Sequence, residues 1–231
     1  DLILAIATPA AQDIASKTSE IPILITAVTD PVGAGLVNSL EKPGTNVTGT
    51  TDMNPIQEQF ELMKKLIPNV KKVGIIYNAA EQNSTVQVDI AKQVAATLNI
   101  EILEATAASS ADVLQAAQSL VGKVDAFYIP TDNTVVSAAD SVVKVSEENK
   151  IPIIAGESSV VDKGGLATIG INYKKLGYQT GEIAVRVLKG ENPADMPIEK
   201  QKDYDTVVNV DAAKLLGIEI PDDVKKAAGI Q

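Results

Sequence analysis

The sequence predicts an α/β fold in which parallel sheets are covered by helices on both faces. Short runs rich in β-branched residues alternate with longer segments of helical period, and polar turn residues follow many of the runs. Strands are expected at 2–7, 21–27, 46–50, 72–77, 100–104, 125–129, 151–155, 167–171 and 205–210, with helices between them. Over 84–98, Val88, Ala91, Val94, Ala95 and Leu98 form one apolar stripe. Over 173–189, Leu176, Ile183, Ala184, Val187 and Leu188 form another, in a helix where Gly177 and Gly181 suggest close backbone packing.

Composition narrows the chemistry. The 231 residues carry 20 Lys+Arg against 30 Asp+Glu, a net charge of −10, and 45% hydrophobic residues. That length allows one large domain or two of roughly 100 to 130 residues, with ample apolar material for buried cores. With neither Cys nor His, zinc sites, thiol nucleophiles, Ser-His-Asp triads and haem ligation are excluded; a hard-cation site of carboxylates stays open on inventory, and no cofactor or metal is assigned. The acidic balance opposes nucleic acid, whose phosphates need clustered cations. Arg186 is the single arginine, so a ligand anion must be held mainly by other groups. No apolar run approaches the ~20 residues of a membrane span, and the chain reads as soluble. It opens directly into an apolar strand with no polar lead-in, so material upstream of Asp1 is expected.

In open α/β sheets, ligands bind beyond the carboxyl ends of the strands, where helix N-termini point unpaired N–H groups outward. At Ala7-Thr8-Pro9-Ala10-Ala11-Gln12, Thr8 can cap a helix with Pro9 at its first position. Its amides, including that of Ala10, suit a carboxylate. Val28-Thr29-Asp30-Pro31-Val32-Gly33 has the composition of a bare turn, with Asp30 its polar member. The segment Tyr77-Asn78-Ala79-Ala80-Glu81-Gln82-Asn83-Ser84 is longer than a minimal strand-to-helix loop requires, and Asn83 and Ser84 are cap-type residues. Ile129-Pro130-Thr131-Asp132-Asn133-Thr134 places a carboxylate at another helix start, where Asp132 either caps the helix or receives a ligand ammonium group. Glu157, after a further strand, is a second acidic candidate. One anion-accepting helix start and one or two carboxylates suit a zwitterion.

Two stretches read as crossings between lobes, Thr50 to Pro55 and Gly190 to Asp203, with a third expected near Glu157 to Leu166 at Gly164-Gly165. The implied division is 1–52 plus 166–190 for the first lobe and 53–165 plus 203–231 for the second.

At these junctions the sequence resembles the tryptophan/tyrosine-type substrate-binding proteins of ABC importers. The resemblance runs through Ala7-Thr8-Pro9-Ala10-Ala11-Gln12, Thr29-Asp30-Pro31-Val32, Asn46-Val47-Thr48-Gly49, Lys72 to Asn78, Pro130 to Val135, Ala155-Gly156-Glu157 and Gly170-Ile171-Asn172-Tyr173. It implies two Rossmann-like lobes joined by a hinge, the type I periplasmic-binding fold, with the first lobe incomplete at its N-terminus. Members open with a strand, a helix and a second strand ahead of the segment matching Asp1 to Ala7. A strand at 2–7 without that neighbour would expose a hydrophobic edge.

The resemblance further implies an extracytoplasmic, non-enzymatic protein that captures an aromatic amino acid and delivers it to permease subunits, held to the membrane only by a lipid anchor outside this chain. Thr8, with Pro9 and Ala10, would hold the carboxylate; Asp132, supported by Asn133, would face the ammonium; and Asn83 and Ser84 would contribute from the second lobe. Asp30, Thr48, Tyr77, Thr134 and Glu157 complete the candidate set. Two other classes stay open: the effector-binding domain of a transcription regulator of the same fold, and an enzyme using Asp132 and Glu157 as a carboxylate pair.

Overall fold

A computed structural model describes residues 1–230. The chain runs β1 (Ile3–Ile6), α1 (Thr8–Ala15), β2 (Ile23–Val28), β3 (Val47–Thr51), α2 (Ile56–Leu66), β4 (Lys72–Tyr77), α3 (Gln82–Thr97), β5 (Glu101–Thr106) and α4 (Val113–Ser119). It continues with β6 (Ala126–Ile129), α5 (Asn133–Ser137), α6 (Ala139–Asn149), β7 (Ile153–Ala155), α7 (Ser158–Asp162), β8 (Ala167–Gly170) and α8 (Tyr173–Leu188). The last elements are β9 (Glu199–Lys200), β10 (Asp205–Val208), α9 (Val210–Leu216) and α10 (Asp222–Ala227). The described residues divide into two units, 1–54 with 171–204 and 55–170 with 205–230. No helix among the described residues is long and apolar enough to cross a membrane.

Unit 1 contains a four-stranded parallel sheet in the order β1-β2-β3-β9. Its strands alternate between two covers. Ile23 and Ile25 join Ala11 of α1 in one core, while Leu24 meets Ile183, Val187 and Met196 on the α8 side. The single arginine is spent inside this unit, where Arg186 pairs with Glu191 and Glu199. As the edge strand, β1 has one neighbour, β2, and leaves Leu4 and Ile6 more than half exposed.

Unit 2 holds a six-stranded sheet, β10-β8-β7-β6-β4-β5, parallel except for the antiparallel β10–β8 pair. Successive residues point to opposite faces. Ile75, Tyr128 and Ile154 join the core under α2 and α3, and Ile76, Phe127 and Ile153 join the one that includes Val135 of α5 and Val142 of α6. That two-sided burial is why these strands read as continuous apolar runs. A buried polar chain fastens the first face. The Tyr128 hydroxyl donates to Gln59 Oε1 at 2.7 Å, and Gln59 Nε2 donates to the Ile169 carbonyl at 2.7 Å.

Three expectations are corrected. The crossing expected at 157–166 falls after Gly170, because β8 pairs with β7 and β10 and so belongs to unit 2. The crossing expected at 190–203 lies after Tyr204, because the segment that includes β9 extends the sheet of unit 1 beside β3. In α8, Leu188 is 63% exposed, and a Cβ added at Gly177 or Gly181 would meet nothing within 4 Å, so these glycines accommodate no close backbone approach.

Gly49 does accommodate one. Its φ is +139°, and a Cβ there would fall on the backbone of Ile25 in β2. Gly49→Ala is therefore expected to lower stability by about 2 to 4 kcal/mol, since β3 must be pushed off β2. Urea denaturation followed by far-UV circular dichroism measures this; a midpoint equal to the wild type would show that the two strands can separate freely.

Candidate functional site

The strand-to-helix junctions of the two units differ in how their polar groups are satisfied. In unit 2, the β4–α3 and β6–α5 loops are stapled together by two carboxylates. Asp132 precedes α5 as its cap and accepts from the Val135 N–H at 2.7 Å. Its other oxygen accepts from the Asn78 N–H and the Ser84 hydroxyl, both at 2.6 Å. Glu81, just before α3, accepts from Asn83 Nδ2 in its own helix at 3.2 Å and turns its carboxylate onto the start of α5. It accepts from the N–H groups of Asn133 and Thr134, both at 3.0 Å, and from their side chains at 2.6 and 2.8 Å.

Amides complete the staple. Asn78 Nδ2 donates to Thr134 Oγ1 at 2.9 Å, Asn83 Nδ2 donates to the Thr131 carbonyl at 2.9 Å, and Gln87 accepts from the N–H and hydroxyl of Thr131.

The electrostatics follow from these contacts. Burial pushes the Asp132 carboxyl above its ordinary value; the donors Asn78, Ser84 and Val135 pull it back only in part, and the neighbouring Glu81 charge adds to the rise. Burial would raise Glu81 too, but the hydrogen bonds from Thr134, Asn133 and Asn83 outweigh it and hold that carboxyl below its ordinary value.

This geometry changes the role of several expected site residues. Asp132 has no exposed surface, and each of its oxygens accepts a hydrogen bond from the chain, which orders the two loops. Ser84 spends its hydroxyl on Asp132. The Asn133 side-chain amide and the Thr134 hydroxyl donate to Glu81. Asn83 and Ser84 lie in the first turn of α3 rather than at its cap, which is Glu81. Asn83 is 3% exposed, and its Oδ1 has no hydrogen-bond partner among the described residues. Tyr77 directs its hydroxyl to Glu104 of β5 at 2.7 Å, and burial with that carboxylate pushes its phenol up to about 12. Glu157 caps α7, accepting from the N–H and the hydroxyl of Ser159.

Unit 1 is different. The helix α1 starts after Ala7, which has φ 71° and ψ 155°, a combination that strains a residue with a Cβ. Thr8 is thus the first helical residue rather than the cap expected from sequence. No side chain caps the helix, and its first turn closes through the Ala11 N–H onto the Ala7 carbonyl. Thr8 is 1% exposed, and its hydroxyl has no partner among the described residues. Pro9 and Ala10 are exposed. Asp30 accepts from the Gly33 N–H at 3.0 Å, the contact of a local turn, and Thr48 donates to the Met196 carbonyl at 3.0 Å within the sheet.

At the end of β3, Asp52 accepts from the Thr29 hydroxyl at 3.0 Å and the Tyr173 hydroxyl at 2.8 Å. No group of three or more acidic residues among those described could hold a metal ion.

The model for the family described as ABC transporter substrate binding protein matches residues 1–230. The chain belongs to that family. A tyrosine-binding protein of Clostridioides difficile is 50% identical over 219 residues, covering 95% of this chain and 64% of its own. A solved ABC domain in complex with L-Trp from Streptococcus pneumonia superimposes with a TM-score of 0.96 at 42% identity, covering 100% of this chain and 78% of that one. A conserved domain protein from Vibrio cholerae gives the same TM-score and identity, covering 99% of this chain and 77% of that one. This substrate-binding family member spans 64% and 65% of the length of the curated relatives it matches. A LacI family regulator shares only the fold, with a TM-score of 0.61 at 13% identity.

Sequence reasoning passed over Glu81 and Asn54. Glu81 sits inside the long β4–α3 loop already marked as polar, and its partner element α5 lies some fifty residues away. Asn54 lies in the stretch read as a crossing, and nothing local distinguishes it.

Two outcomes are expected. Asp132→Asn replaces an acceptor with an amide that faces existing donors, so urea denaturation should show a loss of about 2 to 3 kcal/mol; an unchanged midpoint would mean the staple carries no load. Glu81, held below its ordinary value of 4.5, contributes stability that is present above that pH and is lost as pH falls through its folded value. The stability gap between wild type and Glu81→Gln should therefore be widest above pH 4.5 and narrow in acid. A gap constant from pH 3 to 7 would remove the charge from the explanation.

Proposed function

We propose that this protein is the solute-binding component of an ABC importer that captures an aromatic amino acid outside the cytoplasm and passes it to permease subunits. The observation that carries the reading is the start of α1: an uncapped helix N-terminus with a buried Thr8 hydroxyl that nothing among the described residues satisfies. Such a start suits a carboxylate. The helix dipole contributes roughly 0.3 to 1 kcal/mol, rising to ~2 where the group is partly buried, and the Thr8 hydroxyl adds a donor.

The starts of α5 and α7 are already filled by Asp132, Glu81 and Glu157, whose negative charge repels a second carboxylate and favours an ammonium group. The aromatic side chain is supported by relatives named for tyrosine and for bound L-Trp. Burying one aromatic side chain, ~150 to 250 Å² at about 25 cal/mol per Å², supplies roughly 4 to 6 kcal/mol of the ~8 needed for micromolar affinity.

Isothermal titration calorimetry with the twenty amino acids tests this. Heat is expected from L-tyrosine or L-tryptophan, and Thr8→Val should weaken it about tenfold while leaving the ligand-free melting temperature in place. If no aromatic amino acid binds, the reading fails.

A further inference from the structure

We propose that Asn54 is a ligand-contacting residue that reads the α-amino acid head, with Oδ1 accepting from the ammonium and Nδ2 donating to the carboxylate. The assignment rests on the amino-acid reading above and extends it to a residue the junction pattern does not mark. Asn54 is 6% exposed, yet neither Nδ2 nor Oδ1 has a hydrogen-bond partner among the described residues. A primary amide brings two N–H donors and an acceptor with two lone pairs. Burying all of them unmatched is costly enough that native structures rarely do so without something outside the chain completing the set.

The orphaned amide does not belong to a loose loop. The Met53 N–H donates to Thr51 Oγ1 at 3.2 Å, and Thr51 Oγ1 donates to the Thr29 carbonyl at 2.8 Å. Asp52 is held by the hydroxyls of Thr29 and Tyr173. The backbone on the N-terminal side of Asn54 is thus pinned, and Pro55, whose carbonyl accepts from the Gln59 N–H at 3.0 Å, follows at once. Asn54 follows β3 and Thr8 follows β1, so the two unsatisfied side chains both lie beyond the carboxyl ends of strands in one parallel sheet, the edge where such sheets bind ligands.

The chemistry of the amide selects its partner. A carboxylate alone would engage only Nδ2, and an ammonium alone only Oδ1. The head of an α-amino acid presents both groups on one carbon, Cα, and satisfies the pair. Tyrosine and tryptophan differ in the polar atom on the ring but share this head, so Asn54 distinguishes amino acids from other solutes and is indifferent to the ring.

The test is calorimetric titration of wild type, Asn54→Ala and Asn54→Asp with L-phenylalanine, L-tyrosine and L-tryptophan, alongside melting of each ligand-free protein. Removing an unmatched buried amide should leave the ligand-free melting temperature of Asn54→Ala unchanged or raised. Its affinity should fall about 10- to 100-fold, by equal factors within about threefold for every ring the wild type binds. Asn54→Asp keeps the size and the acceptor, loses the donor and repels the carboxylate, so it should also bind more weakly; it carries the test if the alanine variant does not fold.

Unchanged affinity in a folded variant, or a lowered ligand-free melting temperature with unchanged affinity, would overturn the assignment and leave Asn54 structural. A loss confined to one ring would move the contact to the ring and overturn the head reading. Failure of the wild type itself to bind any of the three would overturn the aromatic amino-acid function and this assignment with it, an outcome separate from wild type binding while the variants match it.

Discussion

Three donors converge on the buried carboxylate of Asp132, and the carboxyl-end rim of unit 2 depends on that convergence. Without it, the β4–α3 loop would hold the β6–α5 loop only through Glu81 and a few amides. With it, an N–H from one loop, a hydroxyl from α3 and the first turn of α5 share a single anion. The burden of an ionised group away from water is met by charge-assisted hydrogen bonds rather than by a countercharge, since no lysine or arginine among the described residues pairs with either acid. Glu81 repeats the arrangement with different donors. The result is a rigid rim, and rigidity there reduces what binding must later immobilise.

The starts of α1 and of α5 and α7 are satisfied in different ways. In unit 2 the starts of α5 and α7 are closed by the protein's own carboxylates. In unit 1 the start of α1 is left open after a strained Ala7, with Thr8 and Asn54 carrying buried polar atoms that have no partner among the described residues. Incomplete satisfaction lowers stability, and proteins retain it where a ligand completes the set. With Arg186 tied to Glu191 and Glu199, Thr8 and Asn54 are uncharged polar groups of unit 1 without a partner among the described residues.

Much of the architecture was legible in the sequence because it is governed by local periodicity. β4 lies at 72–77 as its apolar run indicates, and Val88, Ala91 and Ala95 of α3 face the core as their spacing requires. β9 escaped notice because two residues make no pattern. β8 was placed in the wrong unit because a glycine pair resembles a boundary, while strand pairing is set by partners distant in sequence. Leu188 fits the apolar stripe of α8 and still faces outward, since a stripe states which face is apolar and not how far along the helix a neighbour extends.

At the site, sequence alone determined which junctions matter and which chemistry was available: no histidine, no cysteine, one arginine, and carboxylates and amides after the strands. These are inventory and order along the chain, which a linear reading captures. Tertiary structure decided who bonds to whom. Asp132 is fifty-four residues from Asn78 and forty-eight from Ser84, so only the folded sheet could show that its oxygens are already filled. Whether a polar atom is satisfied depends on every neighbour in three dimensions, and for that reason the empty valences of Thr8 and Asn54 were invisible until the chain was folded.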